Sequence, residues 1–149
     1  MISTGLRIGN VEIGFPVVQA ALSGYSDAPM RMIARQMGAP YALHEVVLDK
    51  SVVQSLKARE RLLGTLDLAD HPVAGQLMGA EPGLFAAAAA VLAERGYDAV
   101  DINFGCPVKK VLGRCRGGFL LSTPETAIEI LRAVRDAVPP QVPVTLKMR

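Results

Sequence analysis

Between Asp98 and Leu121 the chain reads Asp98-Ala-Val-Asp-Ile-Asn-Phe-Gly-Cys-Pro-Val-Lys-Lys-Val-Leu-Gly-Arg-Cys-Arg-Gly-Gly-Phe-Leu-Leu121, which delivers one thiol, Cys106, to the loop just past a short apolar run. Ala99, Val100 and Ile102 have the apolar, partly β-branched character of a buried strand; Asp101 and Asn103 alternate with them, and Gly105-Cys106-Pro107 ends the run. In an α/β protein the carboxyl end of a strand is where ligands and chemistry meet. The competing reading is that Cys106 is a small hydrophobe, buried for packing. Lys109, Lys110, Arg114 and Arg116 follow in the same loop and suit the phosphates of RNA, although a charge run in a loop is also what solvent alone would select.

Those residues need elements to hold them. Leu6 to Ile8 and Val11 to Ile13 around Gly9-Asn10 read as a hairpin. Strands are expected over Pro16 to Leu22, Tyr41 to Val47, Val73 to Met78, Ala99 to Asn103 and Val142 to Met148. The helices between them run from Asp27, a cap with Pro29 in the first turn, to Met37; from a Ser51 cap to about Arg61; from Pro82 to Arg95; and from Thr123-Pro124-Glu125 to Val138. Strands alternating with helices imply right-handed βαβ units and a parallel sheet.

Composition narrows the class. The chain has 149 residues, half of them hydrophobic, enough for one domain with a sizeable core. Sixteen Lys and Arg against fourteen Asp and Glu leave a formal charge of +2, so bulk charge does not announce a nucleic-acid binder. Two cysteines without a CxxC or a neighbouring His argue against a disulfide framework or a zinc site and fit a reducing compartment. No metal is expected. The amino terminus lacks an apolar leader, and the Ala-rich run at Phe85 to Ala93 is too short to span a bilayer, so the expected location is the cytoplasm.

Five strands could complete a doubly wound sheet, but an eight-stranded (β/α)8 barrel takes about 250 residues, of which 149 would be roughly five units. Val142-Pro-Val-Thr-Leu146 has no covering helix after it, which favours the barrel. The expectation is therefore a parallel (β/α)8 TIM-barrel type of which residues 1–149 form the amino-terminal portion.

Four blocks then carry a resemblance: Ala20-Ala-Leu-Ser-Gly-Tyr-Ser-Asp-Ala-Pro-Met-Arg31, Gln76-Leu-Met-Gly79, Asp101-Ile-Asn-Phe-Gly-Cys-Pro-Val-Lys-Lys-Val111 and Pro143-Val-Thr-Leu-Lys-Met-Arg149. In this order they resemble the tRNA-dihydrouridine synthases, the third block being the specific one. The resemblance implies an FMN-binding barrel followed by a helical domain that helps hold tRNA, with this chain similar to the first part only. It also implies NADPH as reductant, hydride transfer from the flavin to C6 of a uridine, and proton donation to C5 by the thiol that Cys106 matches. A thiol with an ordinary pKa of about 8.5 is mostly protonated at neutral pH, as a donor must be; a nucleophile would want a nearby His, and His44 and His71 lie far upstream.

By the same resemblance Lys147 meets the flavin edge, where a fixed cation stabilises the reduced anion. Gln76 meets the ring with an amide that can donate and accept, and Asn103 reaches flavin or uracil. Each has a plainer reading, as a solvated lysine, a polar loop residue and an asparagine satisfied by backbone. Ala21, Leu22 and Ser23 stand where the family usually has Pro-Met-Ala against FMN, and Arg116 and Phe119 stand where it more often has small residues. Glu45 matches a family glutamate that is structural or lines the mouth; Cys115 matches nothing. The alternatives are another FMN barrel acting on a small pyrimidine-like molecule, and an inactive barrel fragment.

Overall fold

A computed structural model describes residues 5–149. The first part of the amino-terminal stretch read above for a leader, residues 1–4, lies outside the described residues. In chain order the elements are β1 (Leu6–Ile8), β2 (Val11–Gly14), α1 (Ala28–Gln36), β3 (Ala42–Leu48), α2 (Asp49–Gln54), α3 (Leu56–Leu63), β4 (Val73–Met78), α4 (Pro82–Glu94), β5 (Ala99–Phe104), α5 (Lys109–Leu112), α6 (Pro124–Ala137) and β6 (Val144–Met148). Short 3₁₀ turns sit at Leu68–Asp70 and Gly117–Ser122. β3, β4, β5 and β6 pair in that order and all in parallel. Parallel neighbours need a crossover, and the helices supply it. Among the described residues the sheet has four strands and does not close into a barrel.

Two expectations are corrected. Residues 16–22 do not form a strand: Gln19 alone bridges to Ala42, its N–H donating to the Tyr41 carbonyl at 2.9 Å and its carbonyl accepting from Leu43 at 2.9 Å. Pro16 has no N–H to offer, and an outermost segment has a partner on one side only. The segment still runs parallel beside β3, where a first strand would stand. The helix expected from Ser51 to Arg61 is two helices, because α2 starts at Asp49 directly after β3 and stops at Ser55, whose extended backbone (φ −140°, ψ 108°) breaks the run. Ser55 then caps α3, its Oγ accepting from the Ala58 N–H at 3.1 Å. The Asp27 cap is found as expected, with Oδ1 accepting from Met30 at 3.0 Å.

Strand alternation divides the sheet into an oily outer face and a mixed inner one. Val73, Leu77, Val100, Ile102 and Phe104 face outward and are fully buried against α4 and α6, where Phe85 meets Phe104 edge to face at 6.4 Å. Burying each such side chain stabilises the fold by about 1.5–3 kcal/mol. At the amino ends of the strands the inner face is filled by Leu43, Ala74 and Ala99 together with Tyr41 and with Ile13 of the β1–β2 hairpin, so this hairpin plugs the bottom of the sheet. The opposite end, where the strands finish, stays open.

Candidate active site at the carboxyl ends of the strands

The inner face changes character one step up from the plug. Because alternate residues share a face, β4 presents Ala74 then Gln76, β5 presents Ala99 then Asp101 then Asn103, and β6 presents Thr145 then Lys147. The register sets Gln76 beside Asp101 and Asn103 beside Lys147. Above them opens a cleft of about 500 Å³, in the usual size range of small-molecule sites, roughly 300–1,000 Å³. Its walls include Ala21, Leu22 and Ser23 on one side, Gln76 and Asn103 at the base, and Cys106 and Lys147 on the other. The thiol, the amides, the lysine and the small-residue turn singled out in the sequence thus converge on one cavity.

A continuous row of hydrogen bonds underlies it. Thr145 Oγ1 donates to Asp101 Oδ1, Gln76 Nε2 donates to Asp101 Oδ2 at 2.6 Å, and Asn103 Nδ2 donates to Gln76 Oε1 at 2.9 Å. Asn103 Oδ1 then accepts from the backbone N–H groups of Gly105 at 3.1 Å and Cys106 at 3.0 Å. Gln76 and Asp101 are buried. Burial pushes the Asp101 carboxyl above the ordinary carboxylate range, while the bonds from Thr145 and Gln76 and the charge of Lys147 pull the other way. Asp101 and Thr145 stand inside the third and fourth motif blocks, but nothing in the sequence alone gives either of them a role at the site. Their shared periodicity with Asn103 and Lys147 was the available signal.

The turn carrying Ala21, Leu22 and Ser23 is held from beneath. Ser26, fully buried, accepts the Leu22 N–H at 2.8 Å and donates to the Leu22 carbonyl at 3.1 Å. The Ser26 carbonyl in turn accepts from Arg31 Nη1 at 2.8 Å. Arg31 is itself paired with Asp70, Nε lying 3.0 Å from each carboxylate oxygen, and both are 1% exposed. Arg35 adds a bond from Nε to the Asp70 carbonyl at 3.0 Å. A buried charge pair connecting α1 to the turn before β4 therefore sets the wall of the cleft.

The thiol loop is equally constrained. Gly117 has φ +59°, and a Cβ there would stand 2.9 Å from both Cys106 Cβ and the Cys106 carbonyl oxygen. Gly118 donates to that carbonyl at 3.0 Å. Gly117 thus packs against the backbone of Cys106, where a Cβ would force the loop to shift. Arg149 Nε donates to the Gly105 carbonyl at 2.9 Å on the other flank. Cys106 is half-buried and Cys115 exposed, and both are free thiols.

The four cations of this loop do not behave alike. Lys110, Arg114 and Arg116 line a second cleft of about 370 Å³ that shares Ser23 and Val46 with the first. Lys109 is exposed and lies outside it. Arg116 is half-buried, with Nε out of reach of solvent and of any partner, and its charge acts on Asp49 at the start of α2. Asp49 is 1% exposed; burial raises its pKa, and its Oδ2 has no hydrogen-bond partner. Glu45 lines a different cleft with Arg31, His44 and Arg61, away from the thiol.

Comparison with known proteins follows the same residues. A family model described as dihydrouridine synthase matches residues 18–149. A probable tRNA-dihydrouridine synthase of Rickettsia prowazekii is 33% identical over 146 residues, covering 97% of this chain and 43% of that protein. The tRNA-dihydrouridine synthase B of Pseudomonas aeruginosa is 39% identical over 145 residues, covering 97% of this chain and 42% of its own length. That of Proteus vulgaris is 38% identical over 145 residues, with 97% and 44% covered. This chain thus spans less than half the length of the curated relatives it matches.

Proposed function

We propose, from the premise that this chain belongs to the dihydrouridine synthase family, that it takes part in the flavin-dependent reduction of uridine to 5,6-dihydrouridine in tRNA. The observation that carries the reading is the single cleft gathering Gln76, Asn103, Cys106 and Lys147 from adjacent strand ends. On the same reading residues 1–149 are the amino-terminal portion of an FMN-binding barrel that further barrel units and a helical tRNA-binding domain complete, and the protein works in the cytoplasm. No helix among the described residues is long and apolar enough to cross a membrane.

The residues present fit FMN. A planar ring needs a slot with one apolar wall and a few donors along an edge; Ala21 and Leu22 form such a wall, and Gln76, Asn103 and Lys147 offer donors. FMN, reduced by NADPH, would supply the hydride for C6, which no side chain can provide. Lys147 holds a cation at the cleft where negative charge is to be stabilised. Cys106, half-buried and lining the same cleft, would donate the proton to C5. Lys110, Arg114 and Arg116 lie in the adjoining cleft and, with Lys109, would meet the phosphates flanking the target nucleotide. That cleft adjoins the thiol site, an arrangement suited to a polyanion rather than a free base.

The test is Cys106→Ala in the complete protein. Neither flavin binding nor reduction by NADPH needs the thiol, so both should stay near wild type. Dihydrouridine formation should fall by about 10²- to 10⁴-fold, the usual loss for a positioned general acid. Cys115→Ala should change nothing. Wild-type turnover in the Cys106 variant returns the thiol to a packing role.

A further inference from the structure

We propose that Asp101 is a positioning residue for the thiol loop, one that fixes which atoms Gln76 and Asn103 turn toward the cleft. The inference deepens the functional reading above and rests on it for its catalytic consequence.

An ionised carboxylate only accepts hydrogen bonds. Asp101 Oδ2 therefore requires Gln76 to approach with its NH₂ group, at 2.6 Å, which leaves Gln76 Oε1 to accept from Asn103 Nδ2 at 2.9 Å. From the far end, two backbone N–H groups only donate. Gly105 and Cys106 require Asn103 to present its oxygen, at 3.1 and 3.0 Å, and so turn its NH₂ toward Gln76. Both ends of the row dictate the same orientation of both amides. What remains uncommitted is one N–H on each amide and one lone pair on Gln76 Oε1, so this part of the wall has more donors than acceptors to offer. The fixed order favours an occupant that meets it with an acceptor edge, such as adjacent carbonyl and imine atoms of a pyrimidine-like ring. The row also ends on the amide of Cys106 itself, which ties the carboxylate to the placement of the thiol. Thr145 closes the near end by donating to Asp101 Oδ1.

Near-isosteric exchanges test the polarity without changing shape. Asp101→Asn can still accept from Gln76 through its oxygen and donate to Thr145, which can accept, so it should preserve the row. Gln76→Glu sets two carboxylates against each other, and the repelled Glu side chain should draw Asn103 off the loop. Adding Asp101→Asn to Gln76→Glu restores a donor opposite the new acceptor. Measured at pH 8 in the complete protein, hydrogen exchange of the Gly105 and Cys106 amides should rise about tenfold in Gln76→Glu, the equivalent of one lost hydrogen bond. It should return to within about threefold of wild type in the double variant and remain there in Asp101→Asn. Turnover of tRNA should fall by about 10² in Gln76→Glu from the misplaced thiol, and the rescue is read by exchange alone, because Gln76 also lines the cleft. Unchanged exchange in Gln76→Glu, or a double variant no better protected than Gln76→Glu, overturns the proposal. Exchange needs neither flavin nor tRNA, so an inactive wild-type protein would sink the functional reading and leave this one to be judged by exchange alone.

Discussion

At the residue scale the placement of Cys106 depends on what its neighbours lack. Gly117 sits at φ +59° with no room for a Cβ against Cys106. For Gly117→Ala the left-handed backbone alone costs roughly 1–2 kcal/mol, and the methyl must push the thiol loop outward. We expect a lower unfolding midpoint and a loss of dihydrouridine formation of about 10²-fold, since small misplacements near a reacting centre are that costly. Flavin loading should persist, because Gly117 does not line the cleft. Unaltered activity in a folded Gly117→Ala protein would show the loop to be freer than its packing implies. Lys147→Ala should act on the other partner, weakening retention of FMN or slowing its reoxidation by tRNA, and normal values for both would remove Lys147 from the site. These residues were legible from motif and alternation: Cys106, Asn103, Gln76 and Lys147 all reach the cleft. Asp101 and Thr145 were equally exposed to that logic, two residues back on the same faces. The inward turn of Arg116 was not legible, because it depends on Asp49, which lies distant in sequence and within reach only once β3, β4 and β5 stand side by side.

At the scale of elements the supports of the cleft are long-range and polar. Asp70 lies 39 positions from Arg31, and nothing in either local sequence announces the pair. The helix α1 was readable from its Asp27 cap and Pro29, but its role in holding Ser26 was not. Truncating one partner of a buried ion pair strands the other, at a cost of about 3–5 kcal/mol. Arg31→Met should therefore destabilise the fold by that amount in urea titration and loosen the Leu22 turn; a loss under 1 kcal/mol would mean that the pair is dispensable. The boundary errors have similar causes. Ser51 and Ser55 are both credible caps, and only the extended backbone at Ser55 decides between them. Residues 16–22 have strand composition, but only Gln19 bridges to β3. Packing also perturbs His44, buried on β3 with its ring edge to face with Tyr97 at 5.6 Å and Nδ1 3.0 Å from the Glu45 carbonyl. Desolvation lowers its pKa below the ordinary 6.5, with Arg31 adding to that and Glu45 and Asp70 opposing. The unfolded chain then takes up a proton near pH 6.5 that the folded chain refuses. Stability from this group is full above that pH and lost as pH falls below it. His44→Phe should flatten the decline in urea stability between pH 7 and 5; an unchanged slope would assign it to other groups.

At the scale of the whole molecule the sheet is polarised, with an apolar plug at the amino ends and a polar, open cleft at the carboxyl ends, and this is the arrangement that α/β folds use to separate stability from chemistry. Alternation of strands with helices made the parallel sheet legible. The number of units was less so, because the segment 16–22 meets β3 through Gln19 alone. Beyond β6 no strand pairs among the described residues, and an apolar groove of about 240 Å³ runs past Phe104, Leu120, Ile128, Leu131, Leu146 and Met148. Ile128 is 46% and Met148 55% exposed. An open strand edge beside uncovered apolar surface is a template for association. If residues 1–149 are the barrel portion proposed above, the phosphate site that such barrels commonly build from loops after the seventh and eighth strands lies outside them, so made alone they should hold FMN poorly as well as self-associate. Sedimentation at increasing concentration should show species larger than a monomer, and the purified chain should carry well under one equivalent of flavin by its visible absorbance. Ile128→Lys together with Met148→Lys should shift the sedimenting species toward monomer, because two charges in the groove oppose its burial, without restoring flavin, since they add nothing to the cleft. A yellow monomer with stoichiometric FMN would show instead that the four-strand sheet and the Leu22 turn suffice to hold the cofactor.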